Sequence, residues 1–155
     1  MAQPAILLVG DWQRTEMLPI RDWVDSLGSR GIVEQFNHLP TEMIDPPDLV
    51  IVCQSWPDEL TAEAVSAALG RWPLALWVCC YGAWCESDGR TRTIWPISVR
   101  VPVREAVPRL DHVWQILSEQ RGEPLPLTAS RDEAFAFDHC SGSFISANLS
   151  DTLNR

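Results

Sequence analysis

Short apolar runs bounded by glycine and proline recur along most of the chain. Ala5–Val9, Asp48–Cys53 and Leu74–Cys80 are almost free of charge, a pattern typical of strands buried on both faces of a sheet. Ile32–Phe36 predicts a shorter second strand, and the partly alternating Ile97–Val101 predicts a fifth. The pattern therefore predicts five strands, three of which are apolar enough to be central.

Between these runs the apolar positions recur at helical spacing. This spacing predicts amphipathic helices over roughly Glu16–Ser29, over a segment that ends at Gly70, and over Val103–Leu117. Ser55–Asp58 has the spacing of a capping box, which predicts where the second helix begins. Tyr81–Pro96 has no helical period and is expected to be irregular.

Alternation of strand and helix implies a parallel sheet covered on both faces. We expect an α/β fold: a three-layer α/β/α sandwich whose five-stranded parallel sheet has the flavodoxin-like order 2-1-3-4-5. This domain is expected to span residues 1–122. Residues 123–155 are expected to form a C-terminal extension: a linker, a strap over the domain, a docked terminus, or the start of an incomplete second unit.

Composition and charge limit the classes of partner. The chain of 155 residues carries a formal net charge of −9, which repels phosphate backbones and anionic lipid headgroups. We therefore expect neither nucleic-acid nor membrane binding. No apolar stretch approaches the ~20 residues of a bilayer crossing. Five cysteines without zinc-finger spacing favour free thiols and a cytoplasmic location.

Four segments at the ends of predicted strands are similar to a known family. They are Ile6–Asp11, Asp48–Cys53, Cys79–Gly82 and Val99–Pro102. Together they make residues 5–121 resemble the receiver domain of two-component response regulators. Receivers hold magnesium with a pair of acids after the first strand. They end the third strand with a phosphoacceptor Asp, the fourth with Thr or Ser, and the fifth with a Lys before Pro.

The chain keeps the framework of a receiver but lacks its chemistry. Only Asp11 remains of the acid pair, since Gly10 is its neighbour; Cys53 stands at the acceptor position, Cys79 at the hydroxyl position and Val101 at the lysine position. A thiol supplies no hard oxygen ligand for Mg²⁺, and a valine supplies no cation for a transferred phosphoryl group. The resemblance thus implies a degenerate phosphoacceptor pocket without metal, cofactor or catalytic residue.

The two thiols of this pocket leave an alternative open. Cys53 and Cys79 would end neighbouring strands, where a thiol-dependent enzyme or a small-molecule binder would use the crevice at the carboxyl edge of the sheet. No basic residue is evident beside either thiol to lower its pKa, and no Gly-rich phosphate loop follows a strand. Core packing is the expected role of both cysteines.

Eight tryptophans are the compositional exception in this chain. Trp12, Trp56 and Trp84 follow the first, third and fourth strands, so they are expected to gather at the carboxyl edge. There they would either plug the vacated pocket or form an apolar surface for a partner. Trp95 and Trp114 lie near the fifth strand and the last helix, and complete the candidate interaction surface.

The function predicted from the sequence is that of a pseudo-receiver, a signalling or regulatory module that phosphorylation does not switch. It would act without catalysis, through contact with a protein partner or as a homodimer. The alternatives are the enzyme or small-molecule binder described above, and a purely structural domain within a longer protein.

Overall fold

The computed structural model describes residues 3–40, 45–86 and 94–139, which build helices around one sheet. In chain order the elements of this part are β1 (Ala5–Gly10), α1 (Leu18–Leu27), β2 (Ile32–Phe36), β3 (Leu49–Gln54), α2 (Ala62–Arg71), β4 (Leu76–Tyr81), α3 (Ala83–Glu86), β5 (Arg100–Pro102), α4 (Val103–Glu119) and α5 over 131–139. Short 3₁₀ turns flank α1 on both sides.

All neighbouring strands of the sheet pair in parallel, in the order β2-β1-β3-β4-β5. This confirms the predicted flavodoxin-like α/β fold. The central strand β3 is buried along its whole length, as expected for a strand covered by helices on both faces. The carboxyl ends of all five strands meet at one edge, where loops and helix starts bring polar and aromatic side chains together.

The sheet divides the interior into two cores. Leu49, Ile51 and Cys53 of β3 face α1 and α4, whereas Val50 and Val52 face α2. This division follows from the alternation of side chains along a strand. Its position within the strand therefore fixes the face of the sheet to which the side chain of a strand-end residue points.

The second helix begins later than the capping-box pattern predicts. Its N-cap is Thr61, whose hydroxyl oxygen accepts a hydrogen bond from the Ala64 amide at 3.1 Å. The Ser55–Asp58 prediction is wrong because the amides of Ser55 and Trp56 donate to the Glu59 carboxylate instead. That carboxylate closes a tight loop after β3, and the helix starts only beyond it.

Other elements also differ from the prediction. The fourth strand starts at Leu76, because Leu74 is 95% exposed and precedes the sheet. The fifth strand covers only Arg100–Pro102. The one-turn helix Ala83–Glu86 was not predicted, since a single turn is too short to show an apolar period.

Part of the C-terminal extension lies against the domain as a strap. The buried guanidinium of Arg109 in α4 forms an ion pair with Asp138 and donates a hydrogen bond to the carbonyl oxygen of Ser98 at 2.6 Å. The rings of His112 and Phe137 stack with their centroids 3.9 Å apart. These contacts hold Phe137 and Asp138 against α4. Residues 140–155, in which one of the alternatives places the start of a second unit, lie outside the described residues.

Candidate functional site at the carboxyl edge of the sheet

The residues assigned to the degenerate pocket do not converge on one point. Cys53 and Val101 are buried on the face covered by α1 and α4, whereas Cys79 is buried on the α2 face. Register is the reason, because β3 and β4 pair Cys53 with Cys80 and adjacent strand residues point to opposite faces. Cys80, and not Cys79, therefore stands beside Cys53. Asp11 belongs to neither core and lies in the loop that follows β1.

Gly10 stands at the position where the resemblance to receivers would place an acid, and its surroundings leave no room for a side chain. Its φ is +100°, and a Cβ built on it would lie 2.3 Å from the carbonyl oxygen of Cys53. Any other L residue would need a strained backbone and a shift of β3. The close pairing of β1 with β3 is thus incompatible with a second acid at this position.

The cysteines at the strand ends are held in the protonated form. Burial raises the pKa of the Cys53 thiol to about 12, and the nearby Glu59 and Asp11 carboxylates act in the same direction. Burial also raises the pKa of Cys79 and of Cys80 well above the ordinary value. Since the thiolate is the nucleophile, these environments oppose thiol chemistry at neutral pH.

Gln54, the last residue of β3, organises the loops around it although it is fully buried. Its side-chain amide nitrogen donates to the carbonyl oxygens of Trp56 at 3.1 Å and Pro57 at 3.3 Å. Its side-chain oxygen accepts from the indole nitrogen of Trp95 at 2.9 Å, and its backbone oxygen accepts from the Gly82 amide at 2.8 Å. A polar residue at the end of an apolar strand was the only sequence signal for this role.

Trp95 belongs to the core, which corrects its placement on the predicted interaction surface. It is 2% exposed and forms, with Trp72 and Trp77, a buried tryptophan row on the α2 face. Ring centroids are 6.0 Å apart in both successive pairs. Trp95 packs inward because its indole nitrogen finds a buried partner in Gln54.

Trp56 and Trp84 form an exposed tryptophan pair at the same edge of the sheet. They are 43% and 66% exposed, and their rings stack with centroids 5.5 Å apart at an interplanar angle of 26°. Trp56 follows β3, and Trp84 lies in α3 directly after β4. The pair therefore joins two loops that the parallel sheet places side by side.

Arg14 ties this pair to the loop after β1. Its guanidinium lies 5.4 Å from the centre of the Trp56 ring, and it bonds the Asp11 carboxylate at 2.7 Å and the Glu59 carboxylate at 3.3 Å. Partial burial raises the pKa of Glu59, while Arg14 and the two amides that donate to its carboxylate act in the opposite direction. The Asp11 carboxylate is thus engaged in an ion pair with Arg14.

The remaining predicted surface tryptophans are half-buried. Trp12 packs against the α1 and α4 core, with the Arg21 guanidinium 5.7 Å from its ring centre. Trp114 meets Trp23 edge to face, at 6.2 Å between centroids. Both rings bury much of their area against the domain itself. The exposed tryptophan pair is consequently the larger aromatic surface of the predicted set.

A groove of about 340 Å³ lies where α3 and α4 begin, and residues that flank Trp84 in the chain, Ala83 and Glu86, line it. Its lining includes Glu16, Gly82, Glu86 and Arg104, and Arg104 pairs with Glu86. The Glu16 carboxylate lies so close over Gly82 that a Cβ there would be 2.5 Å from its Oε1 atom. The groove thus carries two carboxylates and one paired guanidinium.

The described residues hold no group of three or more His, Cys, Asp or Glu side chains arranged for a metal ion. Nor does this part of the chain contain a helix long and apolar enough to cross a bilayer. Comparison with protein-family models, curated proteins and solved structures finds no match.

Proposed function

We propose that this protein is a pseudo-receiver, a receiver-like domain that phosphorylation does not switch and that acts through protein contact. The observation that carries the proposal is the environment of Cys53, which is fully buried, faces an apolar core and has its pKa raised to about 12. A receiver would need an exposed carboxylate there. Gly10 strengthens the proposal, because the backbone excludes the second acid of a metal pair.

Phosphoryl transfer to this edge would lack each of its usual aids. A carboxylate nucleophile is absent at position 53, and Val101 is buried where a lysine would neutralise the phosphoryl group. Arg100 does not replace that lysine: its guanidinium lies over the Tyr81 ring, 4.6 Å from the ring centre. Mg²⁺ prefers several oxygen ligands, and at this edge Asp11 is occupied by Arg14.

The rival assignment to a thiol-dependent enzyme is disfavoured by the same burial. The raised pKa values of Cys53 and Cys79 leave almost no thiolate at neutral pH. On the α2 side, Gln54 and Trp95 fill the space at the strand end where a small molecule would enter. Interaction through the exposed surface of this edge is the better-supported assignment.

Magnesium with beryllofluoride, or with a small phosphodonor, tests the proposal. We expect neither a mass increase nor a change in tryptophan fluorescence, although Trp56 and Trp84 follow strands that end at this edge. A phosphorylatable receiver treated in parallel is the positive control. A saturable, magnesium-dependent response of this protein would refute the proposal.

A further inference from the structure

The exposed tryptophan pair is organised before any partner arrives. Glu59 accepts from the backbone amides of Ser55 and Trp56, and Gln54 holds the carbonyl oxygen of Trp56. On the other side, the Gly82 amide donates to the backbone of Gln54. Loops fixed in this way lose little conformational entropy on binding, which favours affinity.

The pair already binds one cation from within the chain. Arg14 lies over the Trp56 ring and is held there by two carboxylates. Trp84 is the more exposed ring, and no guanidinium or ammonium of the described residues lies over it. An indole is the best aromatic acceptor for a cation, and arginine is the usual donor. The open ring is therefore suited to a second guanidinium.

Charge at this edge selects the same class of partner. The Glu16 carboxylate lines the neighbouring groove and has no hydrogen-bond or ion-pair partner among the described residues. Glu86 lines it as well, paired with Arg104. The net charge of −9 attracts cations from a distance. A metal ion is the poorer candidate, since the described acids do not form a set of three ligands.

We propose that the exposed tryptophan pair and the adjoining groove bind an arginine-bearing segment of a partner protein. One guanidinium stacks on Trp84, and a second enters the groove and meets the Glu16 carboxylate. This inference rests on the proposed function, because it names the chemistry of the contact through which a pseudo-receiver would act. It adds that recognition combines cation–π stacking with a specific carboxylate.

Fluorescence anisotropy tests this with a labelled peptide of alternating glycine and arginine, and a glycine–glutamate peptide of equal length as the opposite-charge probe. We expect saturable binding of the arginine peptide alone. Trp84→Ala should weaken it about 3- to 30-fold, the range of a cation–π contact from exposed to desolvated. Phe135→Ala is the matched control, because Phe135 is a comparably exposed aromatic, at 63%, on α5.

Two variants of equal charge distinguish a specific contact with Glu16 from the general attraction between an acidic protein and a basic peptide. Glu16→Gln and Glu34→Gln each remove one negative charge, and Glu34 is exposed on the edge strand β2. Glu16→Gln should weaken binding about 2- to 5-fold, as for an exposed ion pair, and Glu34→Gln should not. Gly82→Ala keeps every charge but displaces the Glu16 carboxylate, so it should also weaken binding.

Three results would overturn the inference. One is equal weakening by Glu16→Gln and Glu34→Gln, which would reduce the effect to net charge. Another is unchanged affinity in Trp84→Ala. The third is tighter peptide binding by the double variant Arg90→Ala and Arg92→Ala. These arginines follow α3 in the sequence, outside the described residues, and tighter binding would make them the occupant of the site. Circular dichroism of each variant checks its fold. None of these results changes the expected response to magnesium and beryllofluoride, so the pseudo-receiver proposal is tested independently of this inference.

Discussion

Two groups of tryptophans in this domain differ in almost every physical respect. The buried row packs on the α2 face, and its member Trp95 is 2% exposed with its indole nitrogen bonded to Gln54. The exposed pair stacks in water, with Trp84 66% exposed and Arg14 against Trp56. One group therefore stabilises the fold, whereas the other is available for contact.

Gln54 forms hydrogen bonds with a residue of each group. Its side-chain oxygen accepts from Trp95 of the row, and its side-chain nitrogen holds the loop that carries Trp56 of the pair. A buried amide with both ends satisfied fixes a single arrangement of its neighbours. Burial and a polar partner, and not residue type, thus decide the role of each tryptophan in this domain.

Truncation of one ring from each group should separate them most clearly. Trp95→Ala should cost about 3–5 kcal/mol of unfolding free energy, the usual cost of removing a buried large side chain. Trp84→Ala should change it by no more than about 0.5 kcal/mol, as for an exposed site. Urea denaturation followed by circular dichroism measures both. Similar losses in the two variants would contradict the distinction.

Within the buried row, the hydrogen bond of an indole nitrogen should contribute to stability in addition to the buried area of the ring. The indole nitrogen of Trp77 is buried and has no hydrogen-bond partner among the described residues, whereas that of Trp95 is bonded. Trp95→Phe leaves the Gln54 oxygen without its 2.9 Å donor, so it should cost about 1–3 kcal/mol more than Trp77→Phe. Equal midpoints of thermal unfolding for the two variants would show that the bond contributes nothing.

The thiol beside the buried row should make stability fall at alkaline pH. Burial raises the pKa of Cys79 well above its ordinary value of 9.0, so the unfolded chain loses this proton first. Its contribution is complete below about pH 9 and decreases by about 1.4 kcal/mol per pH unit above it, until the folded pKa is reached. Cys79→Ala should have a shallower alkaline decline than wild type; an identical slope would argue against this burial.

Near the exposed pair, the Glu59 carboxylate should make the stability of the fold depend weakly on pH in the acidic range. Partial burial raises the pKa of Glu59 above its ordinary value of 4.5, so the folded state binds this proton more tightly. The stabilising term is present below about pH 4.5 and is lost as pH rises through the raised folded value. The stability of wild type relative to Glu59→Gln should therefore fall slightly between acidic and neutral pH. A rise would mean that the Arg14 pair dominates.

Much of the framework could be predicted because it depends on local pattern. Apolar runs of strand length and helical periods located the five strands and the three main helices, and their alternation gave the parallel order of the sheet. The capping motif failed because Glu59, one residue beyond the expected acid, captures the loop amides. The helix Ala83–Glu86 was missed because one turn carries no period.

The candidate site was predicted in outline and differs in detail. The gathering of Trp56 and Trp84 followed from strand topology alone, as parallel strands end at a common edge. The inward direction of Trp95 did not, because it depends on the distant partner Gln54. The separation of Cys53 from Cys79 depends on a one-residue register between β3 and β4, and such a register reverses every side chain.

The order of apolar and polar residues by itself determined that this protein forms a parallel α/β sheet without the charged groups of a receiver at the expected strand ends. Tertiary structure alone decided which rings are buried, which thiols are neighbours, and why position 10 admits only glycine against the carbonyl of Cys53. The physical reason is range: periodicity is a property of neighbouring residues, whereas burial, register and close backbone approach arise only where separate segments meet.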